Sequence, residues 1–236
     1  MADGHSWTYE ETCAALEAEL RALQGLLASL SDEDWDRVTR CRWDAQNPWN
    51  VRALVSHINI SIGMTPGFVA DRAEVTPEKD RVGFFINESR LTSAIVDKYA
   101  WMGTETASPD DLRGAFDAVV ERTVEAARDT PPDATAPVFF GPMTMGEFLP
   151  TRVLEAVVHG HDVSEAVGRS PHMTPQAKAM TVGILEDLLA RRATMFYPVM
   201  MREDGAKRPA DLDDVAFIEV ATGRRSYPDG RFPVMQ

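Results

Sequence analysis

Four ionisable residues, Arg152, Glu155, His159 and Asp162, stand at spacings of three, four and three in the segment TRVLEAVVHGHDVSEAVG. On a helix, at about 100° per residue, their side chains fall within roughly 80° of one another and make one polar stripe. Val153, Leu154, Ala156, Val157, Val158, Val163 and Val167 take most of the remaining circumference. Such a helix is mostly buried, with a narrow line of ionisable groups that must be paired, protonated or bound to a metal. Glu155 and His159, four apart, can aim a carboxylate oxygen and an imidazole nitrogen at one point, as helices do when they offer two ligands to zinc or a similar divalent ion. The same spacing also arises as a solvated ion pair, so a third ligand has to be sought.

Only five histidines are available. His5 belongs to a terminus expected to be disordered, and His172 to a loop beside Pro171. His161 follows His159 by two residues and points about 160° away from it, so it reads as a surface residue or as a proton-transfer group at the rim of a pocket. His57 is the better candidate, being mid-helix beside Leu54, Ile60 and Met64 on a face that should meet the core. A lone histidine there can equally be a satisfied core residue. A His, Glu, His set leaves coordination positions open, as a catalytic zinc site does, and can polarise a carbonyl or hold a thiolate or hydroxide. Asp162 would then orient the His159 imidazole, and Arg152 would balance Glu155 or receive a substrate carboxylate. Helix salt bridges are the plainer reading of both.

These residues need long helices to carry them, and the sequence supplies several. Thr8 and Glu11 make a capping box ahead of Leu16, Leu20, Leu23, Leu27 and Leu30. Ser31 opens a short turn that tucks Trp35 inward. Asn47 and Pro48 start a second helix that fades near 63–67, and Thr76 with Pro77 starts a third helical pattern running to Tyr99. Ser108 and Asp111 box a fourth, to about Arg128. TPPDATAPVFFGPM reads as a proline-broken loop with at most one short strand, and Thr144 with Glu147 boxes the stripe helix. A further helix follows from Thr174, and past Met201 the pattern predicts a polar loop and one strand, VAFIEVATG, with RSYPDGRF as a turn and partner. The fold class is thus mainly α: an antiparallel four-helix bundle over 1–170, with a C-terminal helix and a small α+β or irregular extension over 171–236.

Composition narrows the partners. With 236 residues, 44% hydrophobic and 26% charged, this is an ordinary globular chain. A formal charge of −13 argues against a phosphate-backbone partner and against an anionic membrane surface. No basic-then-apolar signal opens the sequence and no apolar run suggests a membrane span, so the expected place is the cytoplasm and the expected partner a small molecule. Cys13 and Cys41 form no disulfide framework and read as reduced thiols.

RVLEAVVHGHDVSEAVG closely resembles the R-x-x-E-x-x-x-H-x-x-D signature of the mycothiol-dependent maleylpyruvate isomerase family, within the DinB/YfiT-like metalloenzymes. WNVRALVSH resembles that family's earlier motif, a Trp followed by a helix whose histidine is the first ligand, and DEDWDRVTRC matches the connection before it. The resemblance spans roughly residues 8 to 170. It implies a DinB-like four-helix bundle that binds zinc, or another divalent metal, through His57, Glu155 and His159. It also implies use of a low-molecular-weight thiol such as mycothiol on a small electrophilic or unsaturated carbonyl compound, as isomerase or S-transferase; apart from the resemblance, a monomer or homodimer is expected. Arg152, His161 and Asp162 are the expected catalytic groups around that metal. Departures are the lengthened connection RWDAQNP between Cys41 and Trp49, His161 at a position more often aromatic or aliphatic, and a short tail. These departures, with the Met-rich stretches near 143–145 and 195–201, keep two alternatives in view. One is a bundle enzyme using its metal as a Lewis acid for a rearrangement or cyclisation; the other is a non-catalytic ligand-binding bundle.

Overall fold

The computed structural model describes residues 5–41, 48–86, 90–102, 104, 106–196 and 207–235. The connection at 42–47 and Tyr197, Met200 and Met201 lie outside these described residues. The chain folds as α1 (Tyr9–Ala28), α2 (Val51–Ala70), α3 (Arg90–Trp101), α4 (Pro109–Asp129), β1 (Thr135–Val138), β2 (Gly141–Thr144), α5 (Met145–Ala166), α6 (Pro175–Phe196) and α7 (Asp214–Ala221). The expected mainly helical architecture is what forms.

Helix starts follow local chemistry. Capping boxes at Thr8/Glu11 and Ser108/Asp111 satisfy the first free N–H groups of α1 and α4, and Asn50 caps Ala53 N at the head of α2. The proline start at Asn47–Pro48 is therefore displaced by two to three residues. At α5 the Thr144 hydroxyl caps Glu147 N, while the Glu147 carboxylate turns away to the Arg81 backbone N–H.

Four helices, α1, α4, α2 and α5, pack in that order as a ring. Their directions can be read from cross-contacts. Arg21 pairs with Glu121 and Gln24 with Asp117, so α1 and α4 are antiparallel, as are α2 and α5, where Ser61 meets Arg152 and Phe68 stacks on Phe148. Arg52 reaches Ala107 O and Thr123 reaches Ile62 O, so α2 and α4 run parallel. Gly160 sits against Glu19 and Leu23, and Arg169 reaches Ser29 O, so α1 and α5 also run parallel. The bundle directions are therefore up, down, down, up. Trp35, Trp49, Phe116, Phe148 and the α1 leucines fill the middle. By length and composition α2 is apolar enough to cross a membrane, contrary to the expectation that no segment would be, yet more than half of that helix is buried within the bundle.

Three expected elements differ. The third helical pattern yields only a 3-10 turn at Gly83–Phe85 and then α3, because residues before it run extended along the hairpin: Ala73 N donates to Thr135 O, and Glu78 N and Lys79 N to Pro142 O. The proline-broken loop holds two paired strands, β1 and β2, in antiparallel register from Thr135 with Thr144 to Val138 with Gly141. Gly141, at φ 120°, makes the tight turn that only glycine enters freely. Finally, VAFIEVATG is not a strand but α7. A short apolar run does not distinguish a strand from a buried helix by periodicity; the deciding signal is Asp213, whose side chain caps Ala216 N. RSYPDGRF forms turns, after which Val234 N and Met235 N donate to Ala221 O. His5, expected in a disordered terminus, docks on α6: its ring stands 3.1 Å from Asp187 and 3.3 Å from Glu186, and Gly183 leaves room for it and Trp7.

Candidate metal centre

Helices α2 and α5 cross where their functional side chains face each other. His57 comes from the middle of α2, wedged between the Trp49 ring, 5.1 Å away, and the edge of the His159 ring at 4.8 Å. Trp49 is fixed in turn by its Nε1–H, which donates to Asp97 at 2.8 Å. From α5, Glu155 sends Oε2 to 3.4 Å from His57 Nε2 and 3.4 Å from His159 Nε2. All three donor atoms lie within 4.8 Å of one another.

Those separations are informative. A charge-assisted N–H···O contact closes to about 2.7–2.9 Å. Two ligand atoms around a tetrahedral ion at usual zinc distances stand roughly 3.3–3.6 Å apart. The oxygen is shared by two imidazoles at the second spacing, and the donor set of two nitrogens and one carboxylate suits zinc or a similar divalent ion.

A second group, Cys41, His159 and Asp162, also has its donor atoms within 4.8 Å. It lies at the other end of the same imidazole, where Asp162 Oδ2 is 3.2 Å from His159 Nδ1. This group already holds a cation. The Arg224 guanidinium places Nη2 at 2.8 Å from Asp162 Oδ2 and 3.8 Å from Cys41 Sγ, with Nε 3.2 Å from Oδ1 and Nη1 donating to Thr222 O. Of the two groups, the His57–Glu155–His159 set is the one among the described residues with no guanidinium in contact with its carboxylate.

Electrostatics separate the two histidines. Burial pushes the His57 imidazole below its ordinary pKa, so it presents a neutral nitrogen at neutral pH. Burial acts the same way on His159, but the contacts to Asp162, Cys41 and Glu155 override it and lift the imidazole well above the ordinary range. Burial would raise Glu155; the two histidines and the Arg152 charge instead hold it well below the usual carboxylate range. Asp162 is likewise opposed by burial and held far down by Arg224 and His159.

The other expected residues are placed as follows. Arg152 is buried, with its guanidinium against the Phe84 and Phe148 rings at 5.0 and 4.9 Å and Nη1 donating to the Ser61 carbonyl and hydroxyl. It makes no ion pair among the described residues, so it reaches Glu155 only through space and through Ser61. His161 joins neither donor group. Its reading as a surface residue fails, since α7 covers it: Nε2 is 3.0 Å from Glu219 Oε1, which also accepts from Arg40 Nη2 at 2.9 Å. Ser61, Arg224, Glu219 and Arg40 were not anticipated, and Cys41, read only as a reduced thiol, turns out to border the site. Ser61 had a signal, four residues after His57 on the same helix face; Arg224 had none, because its position depends on α7.

The family model for the mycothiol maleylpyruvate isomerase N-terminal domain matches residues 16–164. No curated protein matches significantly. Two similar solved structures are the mycothiol-dependent maleylpyruvate isomerase and a histidine-to-alanine mutant of it. They have TM-scores of 0.53 and 0.54 and identities of 18% and 19%, each alignment covering 81% of this chain and 72% of the other. At such identity the structures speak for the fold, whereas the family model spans more than half the chain. The chain therefore belongs to the mycothiol maleylpyruvate isomerase N-terminal domain family.

Proposed function

We propose that the protein binds one divalent metal ion, zinc by its donor set, through His57, Glu155 and His159. With it, a mycothiol-class thiol acts on a small unsaturated or electrophilic carbonyl compound, in an isomerase or S-transferase reaction. The observation that carries this reading is the single Glu155 oxygen held 3.4 Å from imidazole nitrogens of two different helices. Family membership supports the thiol.

When bound, such an ion supplies Lewis acidity and favours the thiolate over the thiol at neutral pH. The chain's own residues prepare the site for it. Asp162 accepts from His159 Nδ1–H and so orients the ring with Nε2 toward the site, where that nitrogen becomes a ligand once its proton is lost. Arg224 neutralises Asp162, so the carboxylate orients His159 without becoming a ligand itself. His57 enters neutral, needing no proton removed. In the isomerase form of the reaction the thiol adds to a conjugated double bond, rotation follows about the resulting single bond, and elimination returns the thiol unchanged. In the transferase form the new carbon–sulfur bond remains.

Elemental analysis of untagged protein tests the reading. About one zinc or similar ion per chain, lost in His57→Ala, Glu155→Ala and His159→Ala, is expected, followed by turnover of unsaturated acids only with added thiol. Protein that takes up no metal after reconstitution would overturn it. Metal-dependent turnover without any thiol would favour the Lewis-acid rearrangement instead.

A further inference from the structure

We infer that Ser61 is a positioning residue of this centre, its hydroxyl passing the hold of the buried Arg152 guanidinium on to the carboxylate oxygen of Glu155. The inference rests on the metal-site reading above and concerns how its one anionic ligand is aimed.

The direction of the relay is forced by donor chemistry. A guanidinium has N–H donors and no acceptor. With Arg152 Nη1 2.7 Å from Ser61 Oγ, the hydroxyl must accept there, and its single hydrogen is left for another partner. The acceptor in reach is Glu155 Oε2 at 3.3 Å, a long contact for an O–H···O bond, and it is the same oxygen that faces both imidazoles. Ser61 is buried, and the same Nη1 also donates to its backbone carbonyl at 2.9 Å.

Arg152 is buried as well. Its guanidinium carbon lies 5.0 and 4.9 Å from the Phe84 and Phe148 ring centroids, and its Nε donates to Thr151 Oγ1 at 3.1 Å. A chain of buried, hydrogen-bonded groups thus runs from Arg152 through Ser61 to the Glu155 oxygen. The hydroxyl thereby aims the carboxylate at the imidazoles. Partners of this kind commonly change metal affinity by 10- to 100-fold when removed.

The test is zinc affinity of the metal-free protein, measured by competition with a chromophoric chelator, alongside its thermal unfolding. Ser61→Ala is expected to weaken zinc 10- to 100-fold, to shift the metal-free melting temperature by less than about 5 °C, and to be largely rescued in Ser61→Thr, which keeps the hydroxyl. Arg152→Met should weaken zinc in the parent and have little added effect in the Ser61→Ala background, the non-additivity of groups acting in series. Zinc affinity within threefold of the parent in Ser61→Ala, or fully additive losses in the double variant, would overturn the relay. A parent that binds no zinc overturns the metal centre itself, whereas tight binding that ignores Ser61 removes only the relay.

Discussion

The two ends of the His159 imidazole make a controlled comparison. At each end a buried carboxylate approaches one ring nitrogen, Glu155 at Nε2 and Asp162 at Nδ1. Asp162 has the Arg224 guanidinium at 2.8 Å, and no charge has to come from outside. Glu155 has only a serine hydroxyl, two imidazoles and a guanidinium that touches it indirectly. The same donor types thus produce a closed guanidinium pair on one side and, on the other, a carboxylate faced by an imidazolium whose proton a metal ion can replace. Metal-ligand chemistry depends on where the protein withholds its own cations as much as on where it places its donors.

The sharpest way to break this comparison is to remove donors from one end at a time. Replacing His57 or Glu155 by Ala should abolish tight zinc binding while leaving the metal-free protein folded, read by metal content and circular dichroism. Next in size, Arg224→Met strands a buried Asp162 charge and should cost about 3–5 kcal/mol of stability in chemical denaturation. A loss below 1 kcal/mol would mean the Nδ1 end is not an obligatory ion pair.

Acidity sharpens the contrast further. The His159 imidazole lies well above its ordinary pKa in the metal-free protein. Its contribution to metal-free stability is therefore complete below about pH 6.5 and fades as pH rises through the raised value. Zinc must displace the Nε2 proton, so binding near pH 7 should release about one proton per ion. Titration calorimetry in buffers of different ionisation enthalpy reads this directly, and the zinc-induced rise in melting temperature should grow from pH 6 to 8. No proton release would mean His159 is already neutral.

The smallest expected effect is Cys41→Ser. It should leave zinc content intact and change stability by no more than about 1 kcal/mol, because Arg224 and Asp162 remain paired. Loss of zinc comparable to that in His57→Ala would invert the comparison and assign the ion to the Cys41 end.

Much of this was legible before any coordinates. The bundle helices announced themselves through capping boxes and three-four periodicity, which are local properties. Arg152, Glu155, His159 and Asp162 formed one stripe, and the helical wheel correctly turned His161 away from it. The wheel could not say what lay on that other side. His161 is buried because α7 covers it, and α7 was misread, since eight mostly apolar residues look alike as helix or strand. Arg224 was illegible for a related reason: it pairs with Asp162 across 62 positions, through a segment whose placement no local rule fixes.

That last contact bears on how the protein is made. Translation delivers residues 57, 155 and 159 well before residue 224. In a nascent chain that ends between these two points all three donors are present, but Asp162 lacks its guanidinium partner. The guanidinium thus completes the ion pair behind the candidate metal site only after all three of its donors have been synthesised.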